Sequence, residues 1–135
     1  MVWQLVRVIG LGIETADLLV NEVFLRNLRD RRAVARYAGL TGSPDESGAR
    51  RREKGLARAG NGRVRKAMIQ LAWRMLMFQG DSALVTWFRE RTANAKKTVR
   101  KTMIIGLARK LLIALWRFAT TGEALDGVVL RPVAA

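Results

Sequence analysis

Apolar residues recur at helical spacing along most of this chain, and no segment alternates convincingly with period two. The run from Thr15 to Phe24 places Ala16, Leu19, Val20 and Val23 on one face. Asp30 is a suitable cap for a short helix ending at Tyr37, which Gly39 stops, with Val34, Tyr37 and Ala38 as its apolar side. Asn61 opens a longer helix, and Gly80 closes it. Its core stripe is Val64, Ala67, Met68, Leu71, Met75 and Phe78, while Arg63, Lys66, Gln70 and Arg74 share a second face. Asp81 or Ser82 caps the next helix, which carries Leu84, Val85, Trp87 and Phe88. After a polar break at Thr92–Lys97, a final helix runs from about Thr98 to Thr121, and Gly122 ends it. Its stripe is Ile104, Leu107, Ala108, Leu111, Leu115 and Phe118, flanked by Leu112 and Trp116, with Lys110 and Arg117 on the far side.

The pattern predicts an all-α, compact helical domain over residues 1–128, with a tail at 129–135. Residues 1–9 are apolar but carry no helix start of their own. Gly10-Leu11-Gly12 follows, a tight turn into a helix that resembles a helix-hairpin-helix turn. Such a turn, at Gly10 and Gly12, offers backbone N–H groups to a phosphate. A simple helix-helix connection is the favoured alternative, because an isolated Gly-x-Gly is a weak signal. The least regular stretch is Gly39–Lys66. It begins as a turn-rich segment from Thr41 to Gly48 and becomes strongly basic.

Charge changes the picture. The 135 residues hold 25 Lys and Arg against 11 Asp and Glu, a formal net charge of +14. Such an excess points to a polyanion, with nucleic acid ahead of an anionic membrane. Half the residues are hydrophobic, which excludes disorder throughout. The basic residues concentrate at Arg50, Arg51, Arg52, Lys54 and Arg58, opposed by Glu53 alone. Together with Asn61, Arg63, Arg65, Lys66 and Arg74 they form the candidate nucleic-acid-binding set. A merely solvated basic loop is the bland alternative.

The chain contains no cysteine and no histidine. Disulfides, thiolate or imidazole metal sites and any Ser-His-Asp device are therefore excluded. The acids show no metal spacing, and no Gly-x-x-x-x-Gly-Lys-Ser/Thr loop occurs. The N-terminus lacks a signal-peptide cleavage pattern. The most apolar run, Met103–Phe118, is interrupted by Arg109, Lys110 and Arg117 and is not a membrane span. The expected location is cytoplasmic. Ser47, beside a glycine and a cluster of arginines, could attack a phosphodiester held by those arginines. On its residues alone it is better read as an ordinary turn serine.

The ordered set of motifs alters that weighing. Ile9-Gly10-Leu11-Gly12 with Ala16 leads to Arg31-Arg32-Ala33-Val34-Ala35-Arg36-Tyr37-Ala38-Gly39-Leu40-Thr41, then to Ser43-Pro44-Asp45-Glu46-Ser47-Gly48. Gly55-Leu56-Ala57-Arg58-Ala59-Gly60-Asn61-Gly62-Arg63-Val64-Arg65 follows, then Leu71-Ala72-Trp73 and Ser82-Ala83-Leu84 with Trp87-Phe88. Ala108-Arg109-Lys110-Leu111-Leu112 with Leu115-Trp116 completes the series. In this order and spacing the pieces resemble the C-terminal domain of the DEDD-type, RNA-guided transposases of bacterial insertion sequences, the insertion-sequence one-ten family. The resemblance covers about residues 8–128. Gly42 stands where the family usually has proline, and Arg58 where it has lysine.

The resemblance implies a recombinase in two halves. An N-terminal RuvC-like half would carry an acidic quartet binding Mg2+, and the C-terminal half a serine that joins DNA covalently. That serine maps onto Ser47, and Arg63 and Arg65 match an arginine pair expected to hold phosphate or RNA backbone. The implied partners are double-stranded DNA, an element-encoded guide RNA and further copies of the enzyme. No cofactor is expected in this chain, and no membrane partner. Without the acidic half, the expectation is a truncated or remnant copy that does not transpose DNA alone. Two alternatives remain: a non-catalytic helical nucleic-acid-binding module and, more distantly, a cationic membrane-active protein.

Overall fold

The computed structural model describes residues 1–40 and 60–132. These residues bear out the all-α expectation. Their helices are α1 (Val2–Leu5), α2 (Ile13–Glu22), α3 (Arg31–Tyr37), α4 (Gly62–Phe78), α5 (Ala83–Thr92) and α6 (Lys97–Thr121), with a 3-10 turn at Phe24–Arg26. No strand forms among the described residues, although Val8 and Leu130 make an isolated antiparallel bridge.

The long α6 is the axis against which α1, α3, α4 and α5 pack. Its entire expected stripe is buried, and Leu112 joins it. Each such leucine removed from water contributes roughly 1.5–3 kcal/mol. Gly122 adopts a left-handed conformation (φ 81°) and ends the helix. Facing α6, α4 buries Val64, Met68, Leu71, Ala72 and Met75. Two details of the expected α4 face need correction. Ala67 is half-buried rather than central. Phe78 is 50% exposed, because it is the last helical residue and its ring lies across Gly10 instead of entering the core.

Local signals place the helix ends. Asp30 accepts a hydrogen bond from the Ala33 N–H at 2.9 Å and caps α3. That bond is the main reason its carboxyl is held below the ordinary carboxylate range. At the other end Gly39 (φ 71°) and Leu40 donate to the carbonyls of Arg36 and Ala35. This pair of bonds satisfies carbonyls that the helix end leaves free, and Leu40 is buried beneath it. Ser82 caps α5. Helix α2 begins earlier than its periodicity predicts, at Ile13, because Gly12 is extended and serves as its cap position. It stops at Glu22, where Val23 leaves helical geometry and the chain tightens into the 3-10 turn.

The N-terminal segment also departs from expectation. Val2–Leu5 forms one helical turn despite lacking a start signal. Packing of Leu5, Val8 and Leu11 into the core holds it there. Residues 123–132 follow α6 without forming a further helix. Val128 and Leu130 pack on the core, and the Arg131 N–H donates to the Arg7 carbonyl.

Gln79 joins these two ends. Its side chain is 1% exposed. Nε2 donates to the carbonyls of Ile9 (2.8 Å) and Val129 (2.9 Å), and Oε1 accepts from the Val129 N–H (2.8 Å). Truncation would leave those backbone groups without their partner in a partly buried place. Gln79→Ala should therefore cost about 2 kcal/mol, read as a lowered thermal midpoint. It should also speed hydrogen exchange at Val129. Unchanged exchange at Val129 would contradict this clasp.

Candidate nucleic-acid interface

Among the described residues, the sequence-predicted contacts gather where α3 ends and α4 begins. Gly60 returns the chain against Gly39, close enough that a Cβ built on Gly60 would lie 2.3 Å from the Gly39 Cα. The Asn61 N–H donates to the Tyr37 carbonyl at 2.6 Å. The described residues on either side of 41–59 are therefore held together as one closed neck. Ser47, Arg50, Arg51, Arg52, Lys54 and Arg58 lie in that stretch, outside the described residues.

Asn61 is the keystone of the neck. Its Oδ1 accepts from the Arg63 and Val64 N–H groups, at 3.0 and 3.2 Å, and so caps α4. Its Nδ2 donates to Glu22 Oε1 (3.0 Å) and approaches the Tyr37 hydroxyl (3.4 Å). Both ends of the amide are thus engaged within the protein, which gives Asn61 a positioning role whatever else it touches. Glu22 also lies 3.9 Å from the Arg63 guanidinium. The Arg26 guanidinium stacks 4.6 Å from the centroid of the Tyr37 ring. Sequence reasoning missed Glu22, because nothing local in α2 signals a carboxylate that serves a helix cap 39 residues later.

The basic face of α4 is divided by its surroundings. Arg63 and Lys66 are exposed, one turn into the helix, beside the neck. Arg65 is half-buried, and its Nε is buried with no hydrogen-bond partner among the described residues. An arginine N–H left without an acceptor is costly. Arg74 is different. Its Nε donates to the Gly10 carbonyl at 3.1 Å, and its terminal nitrogen approaches Thr15 Oγ1 at 3.4 Å. This guanidinium ties α4 to the N-terminal turn.

That turn has two unlike glycines. Gly10 has φ +103°, and a Cβ there would press on Met75 and Phe78 of α4. A Cβ on Gly12 would have nothing within 4 Å among the described residues, and Gly12 opens α2 in extended geometry. An open recess of about 530 Å³ lies over it, lined by Gly10, Gly12, Thr15, Arg74 and Arg131 among others. Glu14 also lines this recess and opposes an anion. Gly10 is thus fixed by packing, while Gly12 faces open space among the described residues.

Among the described residues, no group of three His, Cys, Asp or Glu side chains could hold a metal ion. They do not fit the Mg2+ site of the two-half scheme. No helix among them is long and apolar enough to cross a membrane.

The family model described as "Transposase IS116/IS110/IS902 family" matches residues 4–86. That match runs from the end of α1 through α4 and the neck to the start of α5. The protein named "Putative transposase y4rJ" of Sinorhizobium fredii is 41% identical over 123 residues. The aligned part is 90% of this chain but 31% of that relative, so the chain spans about a third of its length. No solved structure matches the chain.

Proposed function

Because the chain belongs to the IS116/IS110/IS902 transposase family, we propose that it is the DNA-binding, serine-bearing C-terminal part of an insertion-sequence transposase. The observation that carries this reading is the neck. It delivers both ends of the segment holding Ser47 and its arginines to the place where Arg63 and Lys66 stand exposed. In sequence, the arginines of 50–58 precede this junction and Arg63 and Lys66 follow it, an order that suits a phosphodiester backbone. Arg65 can supply a charge-assisted bond there.

In the proposed reaction the Ser47 hydroxyl oxygen bonds to phosphorus as the bond to the departing deoxyribose oxygen breaks. The serine proton leaves to an acceptor other than imidazole, and the departing oxygen gains a proton. Arginines around the phosphate stabilise the charge that builds on its oxygens. A new strand's hydroxyl reverses the step and releases the serine. On this reading Mg2+ belongs to an acidic RuvC-like half of the DEDD type, and a guide RNA pairs donor with target. Several copies assemble to exchange strands.

The binding part is testable with this chain alone. Fluorescence anisotropy with a labelled duplex should show tight binding at 50 mM salt. Affinity should fall by about a thousandfold at 200 mM as phosphate contacts release counterions. Charge reversal at Arg63 and Lys66 should flatten that dependence. A chain that ignores duplex DNA at low salt would overturn the proposal.

A further inference from the structure

A second cationic surface lies between α3 and α6, and neither the neck nor the glycine turn lines it. Arg31 and Arg32 project from the first turn of α3, while Arg109, Lys110 and Arg117 face them from α6. The groove between them measures about 500 Å³, and its floor is apolar: Ala35, Leu84, Ile113 and Ala114. Among the described residues, none of these five basic side chains forms an ion pair with a carboxylate. Lys110 rests instead on the Trp87 ring, 4.9 Å from its centroid. Past Arg31 and Arg117 the surface continues to Arg29 and the half-buried Trp116. Two acids stand at that far end. Asp30 is occupied with capping α3 and lies 3.6 Å from Arg29, and Glu123 lies beyond the end of α6.

We infer that this groove holds a single strand of nucleic acid, with phosphates on its arginine rims and bases against its apolar floor. The inference rests on the nucleic-acid reading above and adds a second surface to it. Its basis is the order of chemistry across the groove: cationic, apolar, cationic, then aromatic. Arg109 and Arg117 are eight residues apart, roughly 12 Å along the helix, with Ile113 and Ala114 between them. A duplex keeps its bases paired and stacked, so it could offer phosphates to the rims but nothing to the floor. An unpaired strand can offer both, the usual design of single-strand grooves. Among the described residues, the lining side chains provide donors and apolar surface but no acceptor for a ribose 2′-hydroxyl. The groove should therefore accept DNA and RNA strands alike.

The test compares the intact chain with Arg32→Glu/Arg117→Glu and with the milder Arg109→Gln/Arg117→Gln. The probes are labelled oligo-dT, oligo-U and a hairpin duplex in anisotropy titrations at one salt concentration. The wild-type chain should bind the two single strands within about threefold of each other. The charge reversal should weaken both by about thirtyfold, and the glutamine pair by about fivefold. Duplex affinity should fall by at least about fivefold less than single-strand affinity in the charge reversal. Equal loss of duplex and single-strand binding, or unchanged single-strand binding in both folded variants, would overturn the groove. Failure of the wild-type chain to bind the duplex would instead refute the broader reading.

Discussion

Ser47→Ala, placed at the matching position of a complete transposase that carries this domain, should lower strand transfer by about four orders of magnitude or more. Losing an attacking hydroxyl removes the covalent route altogether, whereas losing a phosphate contact removes only a fraction of the binding energy. The two roles therefore separate in one experiment. DNA affinity of the variant should stay within about threefold of wild type, because a neutral hydroxyl adds little to a binding surface built from cations. On a denaturing gel, the wild-type enzyme should show a protein band shifted by attached DNA, and the variant should not. Transposition that survives the substitution would remove Ser47 from the chemistry and leave a basic nucleic-acid-binding module. Loss of activity together with loss of DNA binding would make the serine a structural turn residue.

The helices of this domain were legible because their ends carry short-range chemistry. Asp30, Asn61 and Ser82 each accept from the N–H groups expected of a cap. Gly39 and Gly122 take the left-handed geometry expected at helix ends. The α6 stripe was legible because a 25-residue helix samples its periodicity many times. What escaped the sequence depends on partners far along the chain. Gln79 reads as a polar residue before a turn, yet it is buried between Ile9 and Val129. The α1 turn has no local reason to form and exists because Leu5 has a core to enter.

Legibility of the interface divides the same way. Exposed Arg63 and Lys66 follow from periodicity. Arg74 lies on the same predicted face, but a carbonyl of the glycine turn claims its guanidinium. Lys110 and Arg117 read as a solvated far side of α6. The fold sets them opposite Arg31 and Arg32, a pairing that no spacing within either helix announces.

The neck itself supplies a second large effect, on stability. Gly60→Ala would force a methyl to within 2.3 Å of the Gly39 backbone, a distance no side-chain rotation can relieve. The chain must then move apart at Gly39 or Gly60. Either movement strains the Asn61 N–H bond to Tyr37 and endangers the Asn61 cap of α4. Overpacking against backbone combined with loss of a cap should cost about 3 kcal/mol. For a chain of this size, that is a fall in melting temperature of roughly 10 °C. Gly62→Ala is the matched control, because among the described residues nothing lies within 4 Å of its Cβ position, and it opens α4. That change should be neutral or stabilise by up to about 1 kcal/mol, since alanine is the better helix former. If Gly60→Ala melted like Gly62→Ala, the contact between Gly39 and Gly60 would not exist in solution. If the two behave as expected, the closed neck is a structural requirement. On the proposed function, a complete enzyme carrying Gly60→Ala should then lose strand transfer even where it remains folded, because the residues flanking the Ser47 segment would no longer be held together beside Arg63 and Lys66.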